Sequence, residues 1–293
     1  MFDILVSMFS YSYGIRAIVV GILVALCASL LGISLVLKKY AMIGDGLSHV
    51  AFGSLAVATA LNFAPLEVSL PVVIVVAFIL LKISESSKIK GDSAIALIST
   101  SALAIGVVVI SMAKGMNIDV YNYMFGSILA ISQSDMIICI VLSVIVITAF
   151  VLCYNRIFAV TFDESSAKAM GVKTNVYNLL IAILTAVTIV IGMKLMGALL
   201  ISGLIIFPAL TSMRLCKKFK TVVITSAILS ASCVFIGLYL SFAFSNLATG
   251  ACIVCVNLVA FLIFWLIAAI KEKVSLKKIN AENKTGKEKI KNN

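Results

Sequence analysis

Apolar segments of bilayer length follow one another along almost the whole chain, at about 14–37, 41–62, 66–83, 93–113, 134–154, 176–193, 195–213, 221–243 and 248–270. A helix needs about 20 predominantly apolar residues to cross the hydrocarbon core. The predicted fold class is therefore all-α, a polytopic helical membrane protein with about nine transmembrane helices. Composition agrees: 62% of the 293 residues are hydrophobic and 12% charged, against about 45–50% and about 25% in soluble domains. A water-soluble enzyme is excluded. Residues 1–270 form one membrane domain, and no segment outside the apolar stretches is long enough to build a second core.

Two boundaries inside long apolar runs need a physical reason. Residues 41–83 are far too long for one crossing at about 1.5 Å per residue. Asn62-Phe63-Ala64-Pro65 supplies the turn, because Pro disfavours helix at the residue before it. Pro71 then falls in the early turns of the next helix. The run 176–213 has its expected break between Gly192 and Gly197, around Lys194.

An odd number of crossings puts the termini on opposite sides, and charge gives the orientation. Of the 23 Lys and Arg, all but Arg16, Lys114 and Lys194 lie in the segments 38–46, 82–92, 155–175, 214–220 and 271–293. By the positive-inside rule that side is cytoplasmic. The expected N-terminus is outside and the C-terminus inside. Tyr11, Tyr13, Tyr121, Tyr123 and Tyr239 then sit at the outer interface, and Tyr40, Tyr154, Tyr177 and Trp265 at the inner one. Met1 to Tyr13 carries no Lys or Arg, unlike a cleaved signal peptide, so the first apolar segment is expected to persist. The net charge of +11 reflects this topology and marks no nucleic-acid partner. Residues 271–293 form a polar, Lys-rich tail, expected to be disordered and drawn to the lipid surface.

A charged group near the bilayer centre costs about 2.5–3.5 kcal/mol on insertion scales, so those a chain keeps mark a pathway or a pair. Asp45 is the acidic group nearest a membrane interior, and His49 is the one histidine in the sequence. Four residues apart, they share a helix face. A carboxylate oxygen and an imidazole nitrogen can there approach one cation, and mixed O/N ligation suits Zn, Mn or Fe. Ser48 lies alongside, and Gly44, Gly46 and Gly53 leave room for close helix packing. The alternative is that Asp45 caps a helix starting near residue 46.

Other motifs carry less. Cys252-Ile253-Val254-Cys255 lies inside an apolar segment, and the seven scattered cysteines resemble small apolar fillers. Met193 and Met196 flank Lys194 and suit packing. Asp92 is placed as the N-cap of the fourth span, and Asn257, Thr185 and Thr188 are candidates for hydrogen bonds between helices. The sequence has no GxxxxGK[ST], so no P-loop, and no nucleophile–base set surrounds the single histidine. The chain is not read as an enzyme. In the cytoplasmic stretch Phe162–Gly171, Asp163 is placed to cap, Glu164 to complement the helix dipole and Gly171 to stop a short surface helix. That helix is either a plain connector or a docking helix for a soluble motor.

The stretch Lys38-Lys39-Tyr40-Ala41-Met42-Ile43-Gly44-Asp45-Gly46-Leu47-Ser48-His49 resembles the "GDALSHA" signature of zinc/manganese/iron ABC importer permeases. Gly91–Ile95, Tyr123–Leu129, Phe162–Gly171 and Gly197–Ile201 leading to Pro208-Ala209 match in order. Gly46 stands where Ala is commoner, and Val50-Ala51-Phe52-Gly53 differs from the usual run. The resemblance implies a type II importer permease in a bacterial plasma membrane, working as a homodimer. Its partners would be ATP-binding cassette subunits on the cytoplasmic side, an extracytoplasmic metal-binding protein and membrane lipid. It implies Asp45 and His49 as metal ligands. It also implies a coupling helix to the ATPase that includes Asp163, Glu164, Ala167 and Gly171. No permanent cofactor is implied; the transported divalent ion is the cargo. Competing functions are a permease for metal-chelate or cobalamin-like cargo, an ion-coupled secondary transporter, and a membrane scaffold. A secondary carrier would be expected to hold several intramembrane acids, where Asp45 is nearly alone.

Overall fold

The computed structural model describes residues 8–85, 91–112, 126, 131–244 and 247–291. Within them the chain forms helices α1 (Ser12–Leu37), α2 (Ala41–Ala60), α3 (Pro65–Glu85), α4 (Gly91–Met112) and α5 (Gln133–Leu152). These are followed by α6 (Tyr154–Phe162), α7 (Glu164–Ala169), α8 (Thr174–Met196), α9 (Ala198–Leu215), α10 (Phe219–Ala243) and α11 (Thr249–Lys291), with no strand among the described residues. Eight of these helices are long and apolar enough to cross a membrane, and the apolar part of α3, Pro65–Leu80, is shorter. Helix is the outcome because a lipid-embedded backbone has no water to satisfy it and must close its own hydrogen bonds.

The turns are built by one device. After α1, Tyr40 N–H donates to Leu35 O (2.7 Å) and Lys39 N–H to Val36 O (3.0 Å), with Lys39 at φ +63°. After α2, Phe63 N–H donates to Ala58 O (2.9 Å) and Asn62 N–H to Thr59 O (3.1 Å), with Asn62 at φ +58°. Both are Schellman motifs, which pair the orphan carbonyls of a helix end by sending one residue left-handed. Between α8 and α9 the break is a single residue, Gly197, at φ +92° and ψ 156°, a region open essentially to glycine alone. The break expected between Gly192 and Gly197 thus falls at its C-terminal edge.

The core lies among α1, α2, α8 and α9. The apolar windows of α1, α2 and α8 are 72% buried, against 22% for α4 and α5 and 11% for α11. Gly32 sets the closest approach: a Cβ there would stand 2.1 Å from Ile205 O, so α1 and α9 meet backbone to backbone. Contacts sort the helix ends into two groups. Lys194 Nζ meets Asp135 Oδ1 at 2.8 Å, Arg16 Nη1 donates to Ile131 O at 3.3 Å, and Tyr13 stacks on Phe242 at 5.8 Å. At the other end Tyr154 and Phe158 pack on Phe219, with ring centroids at 5.6 and 4.9 Å. The two groups alternate along the chain as successive crossings require.

Three local expectations are corrected. Helix α3 begins at Pro65, earlier than expected, where the missing N–H costs nothing; Pro71 falls in its second turn, early as expected but far enough in to remove one of its hydrogen bonds. Helix α4 begins at Gly91, which puts Asp92 in its first turn and not at the cap. Thr188 Oγ1 donates to Leu184 O (2.8 Å) and Asn257 Nδ2 to Ile253 O (2.9 Å), each within its own helix, while Thr185 Oγ1 has no partner. A carbonyl one turn back is the nearest acceptor, and serines make the interhelical bonds instead: Ser54 to Ser69 (2.8 Å) and Ser230 to Ala25 O (3.1 Å). Helix α11 runs on through the Lys-rich residues to Lys291; Glu, Lys and Ala are good helix formers and extend a helix already nucleated. Most of the Tyr123–Leu129 stretch, with Tyr121, lies outside the described residues. So do Lys88, Lys90 and Lys114.

Candidate metal site and docking helix

Asp45 and His49 lie in the second and third turns of α2. The helix begins at Ala41 with Tyr40 as its cap residue, so the alternative role of Asp45 as an N-cap is overturned. Neighbours clamp α2 on two sides. A Cβ on Gly53 would fall 2.4 Å from Ala102 O, and one on Gly46 2.6 Å from Ile95 Cγ2, which presses α2 onto α4. Toward α9, Gly44 meets Ile205, and Ser48 Oγ stands 3.4 Å from Ser202 Oγ while donating to Asp45 O at 2.7 Å. One stripe is left at least partly uncovered by the described residues: Met42, exposed, with Asp45 and His49, partly exposed, spaced for a single helix face. The side chains of Asp45 and His49 are 43% and 24% exposed, and Oδ2 stands 3.7 Å from Nε2.

That separation is too long for a hydrogen bond, so the geometry does not commit these two atoms to each other. Two ligands held at about 2.0–2.2 Å from one ion stand about 3.0–3.5 Å apart. A shift of a few tenths of an ångström in either rotamer brings the pair into that range. Among the described residues, no cluster of three or more His, Cys, Asp or Glu is assembled. The pair could offer at most one carboxylate and one imidazole to an ion. A groove of about 430 Å3 between α2, α3 and α4, walled by Val50, Val57, Val72 and Ile98 among others, offers no charged side chain to a bare cation. All seven cysteines are free, with Cys252 half-buried and Cys255 exposed on α11.

The cytoplasmic stretch folds as its residues dictate. Asp163 caps α7: its Oδ1 accepts from Ser166 N–H at 3.0 Å and its Oδ2 from Ser166 Oγ. These hydrogen bonds hold the Asp163 carboxyl below the usual carboxylate range. Gly171, at φ +79°, ends the helix in a third Schellman motif, with Val172 N–H on Ala167 O and Gly171 N–H on Lys168 O, both 3.0 Å. The apolar contact that accompanies such motifs is present: Ala167, fully buried, packs with Val160 and Val172. Glu164 lies in the first turn of α7, as the dipole reading expects, and also reaches Lys38 Nζ with Oε2 at 3.0 Å and accepts from Asn178 Nδ2 with Oε1 at 2.9 Å. Sequence reasoning missed Lys38 and Asn178. The signal was faint: a lysine at the end of one apolar segment and an asparagine one turn into another.

The profile of the ABC 3 transport family matches residues 10–268. The chain belongs to the ABC 3 transport family. Among its relatives, the manganese import system permease protein ScaB of Streptococcus gordonii is 30% identical over 86% of this chain and 90% of its own length. The high-affinity zinc uptake system membrane protein ZnuB of Haemophilus influenzae is 30% identical over 81% of this chain and 91% of its own. Among solved structures, PsaBC from Streptococcus pneumoniae in complex with Fab superposes with a TM-score of 0.84 at 28% identity, covering 94% of this chain and 99% of that one. The family and the polytopic helical fold expected from the sequence are thus both met.

Proposed function

We propose that this chain is the membrane-spanning permease subunit of an ATP-driven importer of a divalent transition metal ion, manganese, zinc or iron. The observation that supports the metal site is the partly exposed Asp45–His49 pair, 3.7 Å apart on the partly uncovered stripe of α2. Family membership and relatives named for manganese import and zinc uptake support the cargo. Two copies meet around a central path, each contributing one carboxylate and one imidazole. Such a set, completed by water, binds firmly enough to admit an ion and weakly enough to release it. Carboxylate with imidazole accepts Mn, Zn and Fe alike, and geometry decides among them.

ATP-binding subunits sit on the cytoplasmic side against α7, and their closure on ATP tilts the helices and alternates access to the path. Ala167 and Gly171 give α7 the compact form that such docking needs. An extracytoplasmic metal-binding protein delivers the ion from outside. On this reading the C-terminus is cytoplasmic and the N-terminus outside, in a bacterial plasma membrane; the Lys/Arg-rich segments support that orientation.

Uptake of manganese, zinc and iron in cells with and without this gene tests the cargo. Asp45→Ala and His49→Ala each lower uptake of the true cargo by more than about 100-fold, since even outer-shell partners of metal ligands are worth about 10–100-fold. Assembly of the complex is unchanged in both. Normal uptake by both variants would remove the site.

A further inference from the structure

We infer that Lys38 is a positioning residue, a rigid strut that carries movement of α7 to the start of α2 and so to Asp45. The inference rests on the import reading above and adds to it the route by which the motor's motion reaches the metal pair. Its basis is one juxtaposition of three segments distant in sequence. The Lys38 ammonium, on a side chain only 9% exposed, meets Glu164 Oε2 at 3.0 Å and also donates to Asn178 Oδ1. Asn178 closes the triangle through Glu164 Oε1 at 2.9 Å. An ammonium this far from water holds its partners, because separation would leave it unsolvated.

The other end of the strut is equally constrained. Lys38 is the cap residue of α1, and Lys38 N–H, Lys39 N–H and Tyr40 N–H donate to Ser34 O, Val36 O and Leu35 O at 3.1, 3.0 and 2.7 Å. Lys39 is held left-handed at φ +63°, a conformation an L side chain resists. Tyr40 packs against the main core, and α2 begins at the next residue. Two residues in a closed turn leave little slack between Lys38 and Ala41. Asp45 lies one turn farther on. A displacement of Glu164 is therefore delivered to the helix end that carries the metal pair.

Lys38→Met keeps the buried stem and removes the charge. It leaves Glu164, 41% exposed, free to turn to water, so the variant folds. The test uses the complete complex with its ATP-binding subunits and metal-binding protein in proteoliposomes, with Mn2+ and Zn2+ as probes. Assembly, ATP hydrolysis and metal uptake are read together. In Lys38→Met, basal hydrolysis stays at the wild-type rate, while metal uptake per ATP hydrolysed falls about tenfold, the scale of a lost coupling contact. Lys38→Glu with Glu164→Lys restores most of the ratio, whereas either charge reversal alone does not. Wild-type uptake per ATP in Lys38→Met overturns the strut, as does a loss of assembly that accounts for the whole defect or a paired reversal that recovers nothing. A wild-type complex that moves neither metal overturns the import reading first, and the strut with it.

Discussion

Lys39 and Asn62 occupy left-handed backbone where glycine is the usual residue, and the contrast with the real glycines shows what each position needs. At Gly53 the need is space: a Cβ would stand 2.4 Å from Ala102 O, a backbone atom that cannot step aside. At Gly44 it would stand 3.0 Å from Ile205 Cδ1, the movable end of a side chain. Gly53→Ala is therefore expected to destabilise the protein by about 1–3 kcal/mol through overpacking. Gly44→Ala should be near neutral, since the strain is small and alanine gains up to about 1 kcal/mol of helix propensity. Thermal unfolding in detergent distinguishes the two, and equal losses would contradict the packing account. The sequence singles out Asp45 and His49 because charged groups are scarce in membrane-spanning segments. It could not show which neighbours clamp α2, nor that Asp45 lies inside the helix. Those facts depend on tertiary contacts with Ala102, Ile95 and Ser202 that have no local signature.

Helix α7 has six residues, too few to persist without its caps. The depressed Asp163 carboxyl gives a pH dependence whose sign is fixed. A group with a lowered folded pKa contributes fully above its unfolded value, about 3.9, and loses that contribution as pH falls through the folded value. Amide exchange at Ser166 should thus show constant protection from neutral pH down to about 4 and a loss below it. Asp163→Ala should lack that protection throughout, and protection that declines already near pH 6 would contradict the capping geometry. Ala167 is fully buried against Val160 and Val172, and Gly171 needs φ +79°. Ala167→Leu or Gly171→Val is expected to distort α7 and lower transport per ATP about tenfold, the scale of a disturbed coupling contact. Unchanged coupling in both would remove the docking role. This short helix was legible from Asp163 and Gly171, because caps are local. The partners of Glu164 were not, because Lys38 lies 126 residues away in sequence. Thr188 and Asn257 misled for the opposite reason: a residue type suited to joining helices finds its acceptor one turn back.

Across the whole molecule, burial divides the helices into a core of α1, α2, α8 and α9 and a periphery of α4, α5 and α11. The peripheral helices expose apolar side chains such as Leu97, Ile145 and Leu262, as surfaces facing lipid or a second copy do. Segment lengths and charge made the crossings readable, since bilayer thickness acts on every segment alike. Their neighbours in space were not readable, because side chains facing lipid and side chains facing protein are equally apolar. A reporter fused after Lys220 should be cytoplasmic, and an external one would reverse the proposed orientation. The central claim is that this chain grips a bare cation with Asp45 and His49, and the single histidine allows it to be tested directly. With 15N-histidine confined to this subunit, Mn2+ trapped in the assembled complex should show electron-spin-echo modulation from a directly bound 15N. That modulation should vanish in His49→Ala. Bound Mn2+ with no 15N coupling in the unsubstituted complex would contradict the account.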